Sequence, residues 1–208
     1  MSRRTSIVRW AAVGAGIATF VGLTGVATAE EQHGGGEVDV SVTIPDAGTS
    51  GALAMSVESA GTTLTENGST ALVRQFTGTL PTVTITDTRA AEEIPAGAGW
   101  YVLGTASAFE GTAGQPAIGP EHLGWTPRLL DGGEAGLVAE GEPVQTVLDT
   151  EADDPFGLVD QELLALAIDS QEIAAEGRWT ATADLVLRTA ADVDPGEYTG
   201  VVTLSLFE

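Results

Sequence analysis

The sequence predicts an all-β chain: an antiparallel β-sandwich of the Ig-like or Greek-key type, preceded by an N-terminal signal helix. Three observations predict it. Apolar residues recur at every second position in several short runs, the period of a strand with one buried face. Gly, Pro, Asn and Asp cluster between those runs, where reversals need them. Neither coiled-coil heptads nor a longer internal repeat is visible in the sequence.

The first residues read MSRRTSIVRWAAVGAGIATFVGLTGVATAEE. Arg3, Arg4 and Arg9 make a positive start, an uncharged apolar run follows, and Ala27-Thr28-Ala29 is an A-x-A cleavage site. That order is the pattern of a secretory signal peptide over residues 1–29. The run is long for such a peptide, so an uncleaved anchor is the alternative; the A-x-A site favours cleavage. Ser2-Arg3-Arg4 hints at twin-arginine export, but Ser6 stands where that signal prefers Phe. The expected location is secreted and cell-surface associated.

Residues 30–36, EEQHGGG, read as a flexible tail, and residues 37–208 as a single domain. Alternation begins with Val38, Val40, Val42 and Ile44, and Pro45 ends that run. Leu53, Met55 and Val57 repeat it, and the Thr- and Val-rich runs TALVRQFTG and TVTITDT follow. In GWYVLGTASAF, a strand puts Trp100 and Val102 on one face, with Tyr101, Leu103 and Phe109 on the other. LGWTPRLL reads as a loop-to-strand junction. QELLALAIDSQEIAAEG has a helical composition, but Leu164, Leu166 and Ile168 alternate, which favours a strand. RWTATADLVLRT is the clearest strand, with Trp179, Ala181, Ala183, Leu185 and Leu187 on one face. Asp194-Pro195-Gly196 is a turn. YTGVVTLSLF then returns with Tyr198, Val202, Leu204 and Leu206 on one face, and the two runs are expected to pair as a hairpin.

Charge narrows the partners. The chain has 8 Lys+Arg, 30 Asp+Glu and a net charge of −22. Removal of residues 1–29 takes away three arginines and no acid, so the remainder is more acidic still. Such a chain repels nucleic acid and anionic lipid, which are bound through Lys and Arg; no membrane contact is expected beyond the signal segment. There is no cysteine, so disulfides, thiolate metal sites and cysteine catalysis are excluded. LPTVT at 80–84 is no sortase signal, since Val83 stands in the place of Thr and the stretch lies mid-chain.

No catalytic set is legible, and the chain is not expected to be an enzyme. His33 lies in the glycine tail and His122 in GPEHLGW, and no Ser-His-Asp pattern or G-x-S-x-G elbow accompanies them. No cofactor is expected except calcium. Asp149, Glu151, Asp153 and Asp160 fall at positions 1, 3, 5 and 12 of a calcium-type loop, although Asp154 occupies the glycine position and a closing Glu is missing. The alternative is a solvated acidic loop. The aromatics Trp100, Tyr101 and Trp125 each have two readings, as core or as stacking groups for a sugar ring.

In order, LPTVTITDTR, GWYVLGTASAFEG, LGWTPRLL and PGEYTGVVTLSLF resemble the WxL-domain family of secreted cell-surface proteins, as a divergent actinobacterial relative. The resemblance spans about Val38 to Phe207. It implies a C-terminal β-rich domain held non-covalently to peptidoglycan through two motifs. For the first, Trp-x-Leu, this chain has Trp100-Tyr101-Val102, with Leu103 one step late. For the second, Tyr198, Val202, Thr203 and Leu206 match, and Leu204 replaces the Trp. The resemblance makes cell-wall polysaccharide the expected partner, with Trp100, Tyr101 and Trp125 as ligand-binding residues. Two alternatives stand beside it: an interaction sandwich that binds another exported protein, and a Ca2+-dependent adhesion module.

Overall fold

The computed structural model describes residues 50–131, 133, 136–149 and 156–208. The expected signal helix, the tail and the run from Val38 to Ile44 lie outside the described residues. So do Glu151 and Asp153.

The described chain is an antiparallel all-β sandwich. Its first sheet is built on β10 (Arg178–Ala190). β3 (Val73–Thr79) and β4 (Val83–Asp87) lie one after the other along a single edge of β10. They are one strand interrupted at Leu80-Pro81-Thr82, because Pro81 has no N–H to give the ladder. The Leu80 N–H still donates to the Ala183 carbonyl at 2.8 Å across the break. β1 (Leu53–Val57) adds outside β4, and β2 (Thr65–Glu66) outside β3. β7 (Leu123–Asp131) takes the other edge of β10.

The second sheet runs in the order β12 (Val202–Phe207), β5 (Trp100–Ala106), β9 (Glu162–Ala167) and β8 (Val138–Glu140). A small ribbon pairs β6 (Glu110–Gly111) with β11 (Tyr198–Thr199). The two sheets meet in one apolar core. Trp100 from the second sheet and Trp179 from the first have ring centroids 5.4 Å apart, tilted by 46°. Trp179, Ala181, Ala183, Leu185 and Leu187 are all buried, as their alternation predicts.

Three expectations are corrected. LGWTPRLL is a full strand rather than a junction, because β7 finds a long open edge on β10. The hairpin between β10 and the last strand does not form. Both edges of β10 are already occupied, by β7 and by β3 with β4, so the chain leaves it and crosses to the second sheet. The crossing is fixed locally: the Tyr198 hydroxyl donates to the Asp194 carbonyl at 2.8 Å, a Tyr-to-backbone tie like those at sandwich corners. Gln115 Nε2 donates to the Pro195 carbonyl at 3.2 Å.

The third concerns β9, where the strand forms as expected but Leu164, Leu166 and Ile168 do not all share one face. Leu103 pairs with Leu163 and Val102 with Ala165, so Leu164 is the extra residue of a bulge. Beyond it the faces exchange. Leu164, Ala165 and Ala167 are buried, while Ile168 is 63% exposed.

Candidate functional site

The bulge shapes the outer face of the second sheet. Strand register places Phe207, Tyr101, Leu166 and Ala139 side by side across β12, β5, β9 and β8. Residues directly opposite on neighbouring strands touch on a shared face. Tyr101 and Phe207 stack with centroids 5.2 Å apart and planes 18° from parallel. They remain 40% and 37% exposed. Ile168 extends the apolar surface beyond Leu166. In the next row Leu103 faces Leu163, and both are half-buried. Without the bulge, Leu166 would turn inward and the apolar surface would end at Tyr101.

The other two candidate aromatics are corrected. Trp100 is fully buried and Trp125 is 1% exposed, so neither ring offers a face to a sugar. Trp100 points inward with Val102 and packs on Trp179. Trp125 reaches from β7 to β5 and fills the space above Gly104. Neither indole N–H has a protein acceptor among the described residues. Phe109, expected to share a face with Tyr101, packs instead against the core, because β5 ends at Ala106 and Phe109 bridges Ile118. A cavity of about 40 Å³ beside Trp125, lined by Thr146, Asp149 and Arg188 among others, has the scale of a single water, about 30 Å³ of liquid.

Asp149 is engaged by groups of the protein itself. One carboxylate oxygen accepts from both the Thr146 N–H and its hydroxyl, each at 2.9 Å. The other pairs with Arg188. Arg188 is itself fixed, donating from Nε to Gln75 Oε1 at 2.7 Å. A carboxylate so engaged beside a guanidinium is a structural link between β10 and the loop after β8, and a cation placed there would meet Arg188. Asp160 is exposed. Among the described residues no three acidic or imidazole groups converge as a metal site. Asp160 acts instead on Glu162, whose carboxyl is pushed up, first by burial and then by repulsion from Asp160.

His122 sits at the end of a 3-10 turn, Pro120–His122. Its Nδ1 donates to the Arg188 carbonyl at 2.6 Å, so the imidazole braces β7 against β10. A Ser-His-Asp relay needs this ring beside a hydroxyl nucleophile; here its described bond is to backbone.

An open cleft of about 520 Å³ lies between β7 and β8, where Pro127 and Leu129 face Val138, Glu140, Glu142 and Pro143. Its size suits a ligand. Both strand edges there are guarded, by Pro127 and Pro143 and by the exposed Glu140 and Glu142, the residues that natural sheets place to keep edges single.

Tyr198 was suspect only as part of a motif. Its half-buried ring packs against the core and its hydroxyl is held by Asp194, which makes it structural. No family model matches this chain, and comparison with characterised proteins and with solved structures finds no match.

Proposed function

We propose that this chain is an exported cell-surface β-sandwich that acts as an interaction module, holding another exported protein against the outer face of its second sheet. The observation that carries this reading is the exposed Tyr101–Phe207 stack, continued by Leu166 and Ile168. A contiguous apolar surface on a chain of net charge −22 is the kind of patch that marks a protein contact. The signal-peptide pattern of residues 1–29 supports export.

A second reading is non-covalent association with peptidoglycan. It is supported by the WxL resemblance and by Tyr101, the one of the three candidate aromatics with an exposed ring.

Two assays separate the readings. In the first, the protein is co-sedimented with purified sacculi of a high-GC Gram-positive bacterium, with and without Ca2+. In the second, a photo-crosslinking residue replaces Tyr101 in living cells. The protein-partner reading expects no saturable pelleting and a discrete crosslink to an exported protein. The wall reading expects pelleting that Tyr101→Ala weakens. Pelleting unchanged in Tyr101→Ala and Phe207→Ala, with no crosslink, would overturn both.

A further inference from the structure

Among the described residues, β12 is an edge strand without the usual protections, and it pairs with β5 alone. The Ser107 N–H donates to the Val201 carbonyl at 2.8 Å, while the Ala106 N–H donates away from β12, to the Leu158 carbonyl. Backbone groups alternate in direction along an antiparallel strand. Thr203, Ser205 and Phe207 therefore bond β5, and the N–H and C=O groups of Val202, Leu204 and Leu206 point to the open edge. The side chains of these three residues pack on the core yet stay half-exposed.

Natural sheets blunt such edges with proline, charge or a bulge. Residues 201–207, VVTLSLF, contain no proline and no charge, and the pairing of β12 with β5 runs without a register shift. The guarded edges of β7 and β8 make the contrast. Charge appears only at the ends of β12. Exposed Glu110 and Glu197 lie in and beside the β6–β11 ribbon at its start. Glu208 follows Phe207, and the cation beside it, Arg89, is shared between Glu208 and Asp87.

We propose that the open edge of β12 docks an extended segment of another polypeptide, an uncharged strand-forming stretch flanked at both ends by Lys or Arg. The inference rests on the protein-partner reading and names the partner's chemistry. The segment adds as a fifth strand. It bonds the outward groups of Val202, Leu204 and Leu206, and its inward side chains cover theirs. The 6 residues of β12 span about 20 Å, which sets the spacing of the basic flanks to the carboxylates at either end. A second copy of this chain fits poorly, because two-fold pairing of β12 strands sets Glu208 of one copy towards the Glu197 end of the other, and like charges in register repel.

The test uses three labelled peptides titrated with the full chain and followed by fluorescence anisotropy. The first is Lys-Lys-Val-Thr-Val-Thr-Val-Thr-Lys-Lys. The second carries Glu in place of each Lys, and the third is N-methylated at alternate residues. The expected result is saturable binding of the first, with the other two weaker by about tenfold or more. Salt should weaken the binding. Leu204→Pro, which removes one outward N–H where an edge strand tolerates proline, should abolish it, while the N-methylated peptide removes the reciprocal donors, the peptide N–H groups that bond the outward carbonyls, with the protein unaltered. Equal binding of the three peptides, no binding of the first, or a dimer that Leu204→Pro dissolves would overturn the proposal. If the peptides fail and the crosslink from position 101 persists, the protein-partner reading stands without this edge; if both fail, both fall.

Discussion

Gly104 in β5 gives the ring of Trp125 in β7 its room to span the sandwich: a Cβ on Gly104 would lie 2.5 Å from Cη2 and 2.9 Å from Cζ3 of the indole. Gly104→Ala forces that ring or the strand to move, an overpacking change that costs about 1–3 kcal/mol. Trp125→Ala empties the site and costs about 3–5 kcal/mol. The double variant should fall short of the sum by about 0.5 kcal/mol or more, since the two groups touch. Urea denaturation of the four proteins measures this, and strict additivity would show that the contact is not the source.

The buried Asp87 carboxylate depends on Arg89. Arg89 donates to Asp87 from Nε at 2.9 Å and from Nη2 at 2.7 Å, and from Nη1 to Glu208 at 2.6 Å. Asp87 is 2% exposed, so Arg89→Met leaves a buried, unpaired charge and costs about 3–5 kcal/mol at pH 7. Glu208→Gln removes a more exposed partner and costs about 0–1 kcal/mol. The Arg89 hydrogen bonds hold the Asp87 carboxyl below its ordinary value of 3.8. The stability this gives is full above that value and is lost as pH falls through the lower, folded value. Thermal melts at stepped pH should show the gap between wild type and Arg89→Met closing in acid.

Glu162 has the opposite sign. Burial and Asp160 raise its carboxyl above the ordinary 4.5. The folded state therefore favours the protonated form, and that contribution is lost as pH rises through the raised value. Glu162→Gln should raise the melting temperature at pH 7 and leave it nearly unchanged well below pH 4.5. A variant less stable than wild type at pH 7 would contradict this.

Asp149 is predicted to stabilise the fold without calcium. Asp149→Ala removes the acceptor of both Thr146 donors and the partner of Arg188, at a cost of about 1–3 kcal/mol. The loss should be the same in EDTA and in millimolar Ca2+. A melting temperature of the wild type that rises with Ca2+ would return the acidic stretch to the metal-binding reading.

Alternation alone carried the strand class, the division of β5 into two faces, the buried face of β10 and the shared face of Val202, Leu204 and Leu206; which face of β5 turns inward it left open. It failed where a strand's neighbours decide the outcome. Nothing in ELLALA marks Leu164 as a bulge, because the register is set jointly with β5; the outward turn of half-buried Leu166 and the exposure of Ile168 were therefore invisible. The turn at Asp194-Pro195-Gly196 was legible, but its destination depended on β10 having no edge left. Trp125, beside Pro127 and Arg128, read equally as core or as a stacking group, and only Gly104, in a distant segment, shows that it is enclosed. The candidate surface at Tyr101 was half legible: its aromatic was seen, its stacking partner Phe207 was not.

β10 is the strand on which the first sheet is assembled, and its partners are remote. Asp184 meets Thr79 and Arg178 meets Thr86, each joined through a loop of roughly a hundred residues whose closure is entropically costly. Earlier in the chain β2 can pair with β3 and β1 with β4, but nothing joins these pairs to each other or to β7 until β10 is complete, near residue 190. Assembly of the first sheet should therefore be slow and late, as in other topologies dominated by distant contacts.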